Sequence, residues 1–266
     1  MKPPITYYGG KQYLLDELLK RIPPHLSYVE VFGGSGGLLF AKEPAKMEVY
    51  NDIDSKLVNL YRVLQDKTMH EELLQLLKYT PYSREIYEGC TSRWNDDDGM
   101  VRNAWKFYVV NEQGAGYSKS DWRVRTKTIP FQNQSLSWHN KIHTLDETIE
   151  RLKNVLIENR TWQNIVERFD TPHTFFYLDP PYVLSTRLSK SKYAHEMTDA
   201  DHEALIERIQ TLTGKVLLSG YHNPIYDKLG WKYEEFDVFC NSSAKPGDRR
   251  TEVLWRNYDL PQMELF

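Results

Sequence analysis

Tyr28-Val-Glu-Val-Phe-Gly-Gly-Ser-Gly-Gly37 reads as a buried strand, Tyr28 to Phe32, cut by a glycine run. Leu38 to Lys42 then opens a helix, and Glu48-Val-Tyr50 is a second short strand ending at Asn51-Asp-Ile-Asp54. From Ser55 to Leu77 the apolar period is helical, with a break around Asp66-Lys-Thr68. Strand, glycine turn, helix, strand, acid is the opening of a doubly wound α/β domain. Upstream, Leu14, Leu15, Leu18 and Leu19 share one helical face, and Pro23-Pro24 stops that helix.

The carboxyl-terminal half continues the pattern. Residues 146–154 and Trp162–Phe169 read as helices around a strand, Val155-Leu-Ile157. Thr174-Phe-Phe-Tyr-Leu178 is nearly all apolar, as a strand inside a parallel sheet must be. A helix over Asp199–Thr211, a strand at Val216–Leu218 and a final antiparallel pair, Tyr233–Phe239 with Glu252–Asn257, follow. Between Pro81 and Asn140 the apolar period is lost, and Gly, Ser, Asn, Trp and Arg dominate. Trp94, Trp105, Trp122 and Trp138 make this an inserted subdomain rather than a linker. The expected boundaries are 1–80 with 141–266 for the main domain, and 81–140 for the insert.

Composition narrows the function classes. A chain of 266 residues, 40% hydrophobic and 13% aromatic, can bury a core, so disorder is excluded as its main state. The longest apolar runs are strand-sized, which predicts no membrane span, and the start Met1-Lys-Pro-Pro-Ile5 carries no signal pattern. A cytoplasmic protein is expected. Cys90 and Cys240, His139 and His143 show no metal-ligand spacing, so no metal is expected. The net charge of −3 argues against unspecific coating of nucleic acid, but the basic residues are clustered. Lys119, Arg123, Arg125 and Lys127 sit against one acid, Asp121, and Arg187, Lys190 and Lys192 form a second group. Such groups are more often solvated loops than sites. Two of them flanking a chemical motif carry more weight.

That motif is Asp179-Pro-Pro-Tyr182, directly after a strand. Consecutive prolines stiffen the backbone, so the Asp179 carboxylate and the Pro180 carbonyl present two acceptors together, and Tyr182 adds a flat face. The set suits a planar ring bearing an amino group. The glycine run alone is weak, since Leu39 stands where a dinucleotide fingerprint needs its third glycine. With Asp52 placed to bind a ribose, it points to an adenosine-containing ligand without a pyrophosphate. His222 reads as a solvated loop histidine.

Four ordered motifs resemble the Dam-like class of S-adenosyl-L-methionine-dependent DNA adenine methyltransferases. They are Tyr7-Tyr-Gly-Gly-Lys11, Phe32-Gly-Gly-Ser-Gly36, Asn51-Asp52 and Asp179-Pro-Pro-Tyr182, and the tail Arg250-Thr-Glu-Val-Leu-Trp255 is similar as well. The resemblance implies a Rossmann-like methyltransferase sheet, with Asp179, Pro180, Pro181 and Tyr182 catalytic. It implies that Tyr7, Lys11, Phe32, Gly34, Gly36, Asp52 and Asp179 meet the cofactor, and that Asp179 also bonds the target amine. Family members place an Asp where this chain offers Thr161, whose hydroxyl still accepts a hydrogen bond, so weaker cofactor binding is expected. The insert becomes a mainly helical target-recognition subdomain and double-stranded DNA the partner. Lys119, Arg123, Arg125, Lys127, Arg187, Lys190 and Lys192 are its expected DNA contacts. The expected reaction is methyl transfer to the exocyclic 6-amino group of a flipped adenine. An RNA or protein-glutamine amine as substrate, or a non-catalytic DNA-binding relative, are the alternatives. The sequence leaves open which DNA sequence is read and whether a cognate restriction endonuclease is encoded nearby.

Overall fold

The computed structural model describes residues 1–7, 9–91, 96–116, 119–124, 133–186, 195–239 and 249–260. Its strands are β1 (Ser27–Glu30), β2 (Met47–Asn51), β3 (Gly114–Ala115), β4 (Asp121–Trp122), β5 (Val155–Glu158), β6 (Thr174–Leu178), β7 (Lys215–Gly220), β8 (Lys232–Phe239) and β9 (Arg249–Arg256). Its helices are α1 (Leu15–Lys20), α2 (Gly37–Ala41), α3 (Ser55–Gln65), α4 (Lys67–Lys78), α5 (Arg84–Thr91), α6 (Gly99–Gln113), α7 (Gln134–His143), α8 (Asp146–Leu152), α9 (Trp162–Phe169) and α10 (Asp199–Ile209). The contacts divide the chain into a first unit (Met1–Gly10, Gly34–Ala41, Asp54–Asn159) and a second unit (Lys11–Gly33, Lys42–Ile53, Arg160–Phe266).

In the second unit the strands run in the order β2-β1-β6-β7-β9-β8. The first four are parallel, β9 lies antiparallel to β7, and β8 antiparallel to β9. This is the expected doubly wound sheet with its terminal hairpin. Side chains alternate across it: Val29, Phe176, Leu178, Val216 and Leu218 join Ile165, Val166, Leu205 and Ile206 of α9 and α10 in one core. On the alternate positions, Tyr28 packs against Phe175 and His25. Burial on both faces is why β6 is nearly all apolar, while the buried Glu30 of β1 and Glu48 of β2 are held by Tyr28 and Lys42. Arg21, just past α1, clamps Glu17 and Glu234 at 2.8 and 2.6 Å. Lys42 and Glu48 form a buried ion pair at 2.5 Å, with the ammonium over the Tyr28 ring.

The first unit is mainly helical. Asp66 ends α3 and caps α4, its side chain accepting from Met69 N–H, which explains the break read at 66–68. The loss of apolar period expected from 81 to 140 is corrected by α6, whose Val101, Ala104, Tyr108 and Val109 are buried at helical spacing. The polar Asn103, Asn111, Glu112 and Gln113 are buried on the same helix and blur that period. Trp138 is buried and donates its indole N–H to the Thr80 carbonyl, while Trp105 donates to the Thr80 hydroxyl. These aromatics serve the core. Among the described residues, no helix is long and apolar enough to cross a membrane.

Candidate active site

In the second unit, β6 delivers Asp179 at its carboxyl end, and Pro180-Pro181 stops the ladder there. Asp179 Oδ1 accepts from Lys11 Nζ at 3.0 Å and from Ser219 Oγ, on the neighbouring β7, at 2.8 Å. The lysine and aspartate side chains are only 8% and 17% exposed. Burial pushes the Asp179 carboxyl above the usual carboxylate range, and the Lys11 ammonium and Ser219 hydroxyl oppose that rise without cancelling it. Tyr182 is buried, its hydroxyl donating to Glu252 Oε2 at 2.7 Å and its ring meeting Tyr221 edge-on at 4.5 Å. Lys11 Nζ stands 4.4 Å from the centre of the Tyr182 ring. The ammonium is thus shared between a carboxylate and an aromatic face. A donor on a flat ring finds the same two partners.

The glycine loop begins beside this. Gly33 N–H donates to the Asn51 carbonyl at 2.7 Å. A Cβ there would stand 2.3 Å from Tyr50 Cε2 and 2.8 Å from that carbonyl oxygen, so no other residue fits this approach of β1 to β2. The Asn51 amide donates to the Val31 and Arg160 carbonyls, while its oxygen accepts from Arg160 N–H. Three chain segments are tied at one side chain. Asp52, half-buried, and Thr161, exposed and just ahead of α9, flank that tie. Thr161 Oγ1 lies 3.2 Å from Asn164 Oδ1. Phe32 packs against the apolar core of the sheet. In the first unit, Gly34 and Gly36 take left-handed φ of 50° and 67°, and Tyr61 donates to the Ser35 carbonyl between them. Tyr7 donates to Asp54 at 2.7 Å.

The model of the D12 class N6 adenine-specific DNA methyltransferases matches residues 7–237. The chain belongs to that family. It is an adenine-specific DNA methyltransferase. The chain is 27% identical to the Type II methyltransferase M1.LlaDCHI of Lactococcus lactis subsp. cremoris, over 97% of this chain and 96% of that protein. It is 24% identical to the Type II methyltransferase M.CviBI of Paramecium bursaria Chlorella virus NC1A, over 97% and 100%. It is 25% identical to the DNA adenine methylase of Escherichia coli (strain K12), over 67% and 64%.

The expected DNA contacts of this methyltransferase are placed unevenly. Arg125, Lys127, Arg187, Lys190 and Lys192 lie outside the described residues. Lys119 Nζ donates to the Asn111 carbonyl at 2.8 Å and the Arg123 guanidinium to the Glu112 carbonyl, both at the carboxyl end of α6. Cations there meet the negative end of the helix dipole. Burial lowers the pKa of Lys119, with Arg123 and Lys141 acting the same way. These two side chains hold the β3–β4 turn to α6. Close by, Thr6, Glu112, Arg123, Gln134 and Lys141 help line a cavity of about 220 Å³. His222, read as solvated, bridges Asp227 and Glu235 at 2.7 and 3.1 Å. Ser219 and Tyr13 were not singled out by sequence reasoning, and Glu252 only as part of the tail motif 250–255. Among the described residues, no group of three His, Cys, Asp or Glu side chains could hold a metal.

Proposed function

We propose that the chain transfers a methyl group from S-adenosyl-L-methionine to the exocyclic 6-amino group of an adenine rotated out of duplex DNA. The observation that carries this reading is the half-buried Asp179 carboxylate, held by an ammonium and a hydroxyl and followed by a fixed aromatic ring. An adenine amine is a weak nucleophile because its lone pair is delocalised into the ring. Asp179 and the Pro180 carbonyl accept its two N–H bonds, which turns the lone pair out of the ring plane and polarises it. Tyr182 stacks on the base. The incoming amine takes the acceptor that Lys11 Nζ now occupies, a donor replacing a donor. The methyl donor, a sulfonium, supplies an activated carbon when bound, so the protein's part is alignment and polarity. On transfer the sulfonium would leave as a neutral thioether that keeps the S–C electron pair, and the proton given up by the nitrogen would pass to the Asp179 carboxylate that accepts that N–H.

Asp52, Phe32, Thr161, Lys11 and Asp179 of the second unit fit an adenosine-containing donor: an acid for the ribose hydroxyls, a hydroxyl acceptor and an aromatic wall. Tyr7, Gly34 and Gly36 keep the cofactor role their motifs imply. Asp52→Ala should weaken the cofactor by about 1.5–3 kcal/mol, the worth of a charged acceptor. Calorimetry with S-adenosyl-L-methionine checks it, and unchanged affinity removes Asp52 from the ribose site.

Residues 81–140 are proposed as the recognition region of a catalytic domain made of 1–80 and 141–266. Each basic residue of the two clusters that contacts a phosphate contributes about 0.9 to the slope of log affinity against log salt. Neutralising Lys119, Arg123, Arg125 and Lys127 together should flatten that slope in a titration on duplex DNA. An unaltered slope would take the insert out of the DNA interface. The function itself is tested with labelled S-adenosyl-L-methionine offered to duplex DNA, structured RNA and protein, followed by mapping of modified bases. Label on N6 of adenine at a defined sequence is the expected result. Label confined to RNA or to glutamine overturns it.

A further inference from the structure

Glu252 is the most buried carboxylate near the Asp179 pocket, 1% exposed on β9. Each of its oxygens accepts one tyrosine hydroxyl: Oε1 from Tyr13 and Oε2 from Tyr182, both at 2.7 Å. Taking a carboxylate out of water costs several kcal/mol, and a glutamine or leucine of similar volume fills the same space more cheaply. A carboxylate differs from both in being an acceptor only. The Tyr182 hydroxyl must therefore donate toward β9, and its direction is unique. The same ring is held edge-on by Tyr221 at 4.5 Å and faced by the Lys11 ammonium at 4.4 Å. Its hydroxyl end is anchored and the Tyr221 ring crosses it at 70°, so the plane of the ring is set before any base arrives.

We propose that Glu252 is a positioning residue for methyl transfer, which pins the Tyr182 ring in the plane against which the target adenine stacks. The proposal rests on the reading of Asp179–Tyr182 as the amine pocket. Tyr13 completes it by satisfying the second oxygen, so that the carboxylate itself cannot swing. A second consequence is electrostatic. The Glu252 charge pushes the Asp179 carboxyl in the same upward direction as burial does, while Lys11 pushes it down. Loss of that charge should move the acid limb of the pH profile to lower pH, which a merely structural residue would not do.

The test uses the full-length enzyme as wild type, Glu252→Gln, Tyr182→Phe and the double variant. Single-turnover rates, cofactor affinity and the fluorescence of 2-aminopurine at the target position are measured on each. Both single variants should lose about tenfold in rate with cofactor affinity within about threefold, and the double variant should be no slower than the slower single. The 2-aminopurine signal should change alike in both, because the same stacking plane is released. Wild-type rate in Glu252→Gln, or losses that multiply in the double variant, overturn the proposal. Should Glu252→Gln fail to fold, Tyr182→Phe alone decides, since it keeps the carboxylate and the ring: a wild-type rate in it is fatal. An Asp179→Ala enzyme that stays active would instead sink the pocket itself. A pocket that passes with Glu252→Gln unimpaired sinks only the role of Glu252.

Discussion

Replacing Asp179 by alanine is expected to lower methyl transfer by three or more orders of magnitude while the chain stays folded. A thousandfold loss corresponds to about 4 kcal/mol of transition-state stabilisation, the size seen when a preorganised polar group at a reacting centre is removed. Alanine deletes the acceptor for the amine and the local negative charge together. Lys11 and Ser219 both lose a partner, so the pocket loses its internal order as well. The fold should survive but lose stability: the Lys11 ammonium is left without its carboxylate, offset in part because the raised carboxyl pKa means that the ionised Asp179 itself opposes folding. Its contribution is favourable only at low pH and is lost as pH rises through the folded-state value. Activity runs the other way. Methyl transfer needs the ionised acceptor, so kcat/KM should fall as pH drops through a value above the ordinary one of about 3.9. Single-turnover methylation with thermal melting checks both statements, and activity within tenfold of wild type would remove Asp179 from the chemistry.

The largest stability loss is expected from Glu48→Ala. Glu48 and Lys42 are 3% and 1% exposed, and the alanine would leave the Lys42 ammonium buried without its carboxylate. Breaking a buried pair from one side costs about 3–5 kcal/mol, whereas exchanging both members for apolar residues is close to neutral. The double change Lys42→Met with Glu48→Leu should therefore recover most of what Glu48→Ala loses. Denaturant unfolding measures both. A single-variant loss under about 1 kcal/mol would mean that water reaches the pair.

What the sequence disclosed follows the range over which it was read. Gly33, Asn51-Asp52 and Asp179–Tyr182 were legible because each is a short run at a strand end, where turn chemistry is local. The positions of β6, β7, β8 and β9 along the chain followed from apolar runs and alternation, but their order in the sheet did not. Glu252 stood in the tail motif 250–255, but its pairing with Tyr13 was not legible, since 239 residues separate the two groups that share the hydrogen bond. Ser219 lies 40 residues from Asp179 and reads as an ordinary strand serine. Helix α6 was hidden by its own buried amides. Lys119 and Arg123 carry a structural part that the sequence did not disclose, because a cluster of like charges gives no sign that two of its members donate to the last carbonyls of that helix.

The outer strand of the hairpin has one further consequence. β8 ends the strand order of its sheet, and along its eight residues it carries Lys232, Glu234, Glu235 and Asp237. A free strand edge is a template on which another chain can zip, and the usual outcome is aggregation. Here an arriving strand would meet charge on both faces of β8, Lys232 and Glu234 on one and Glu235 and Asp237 on the other. The edge that completes the catalytic sheet is thereby kept unattractive to further strands, in a cell crowded with nascent chains.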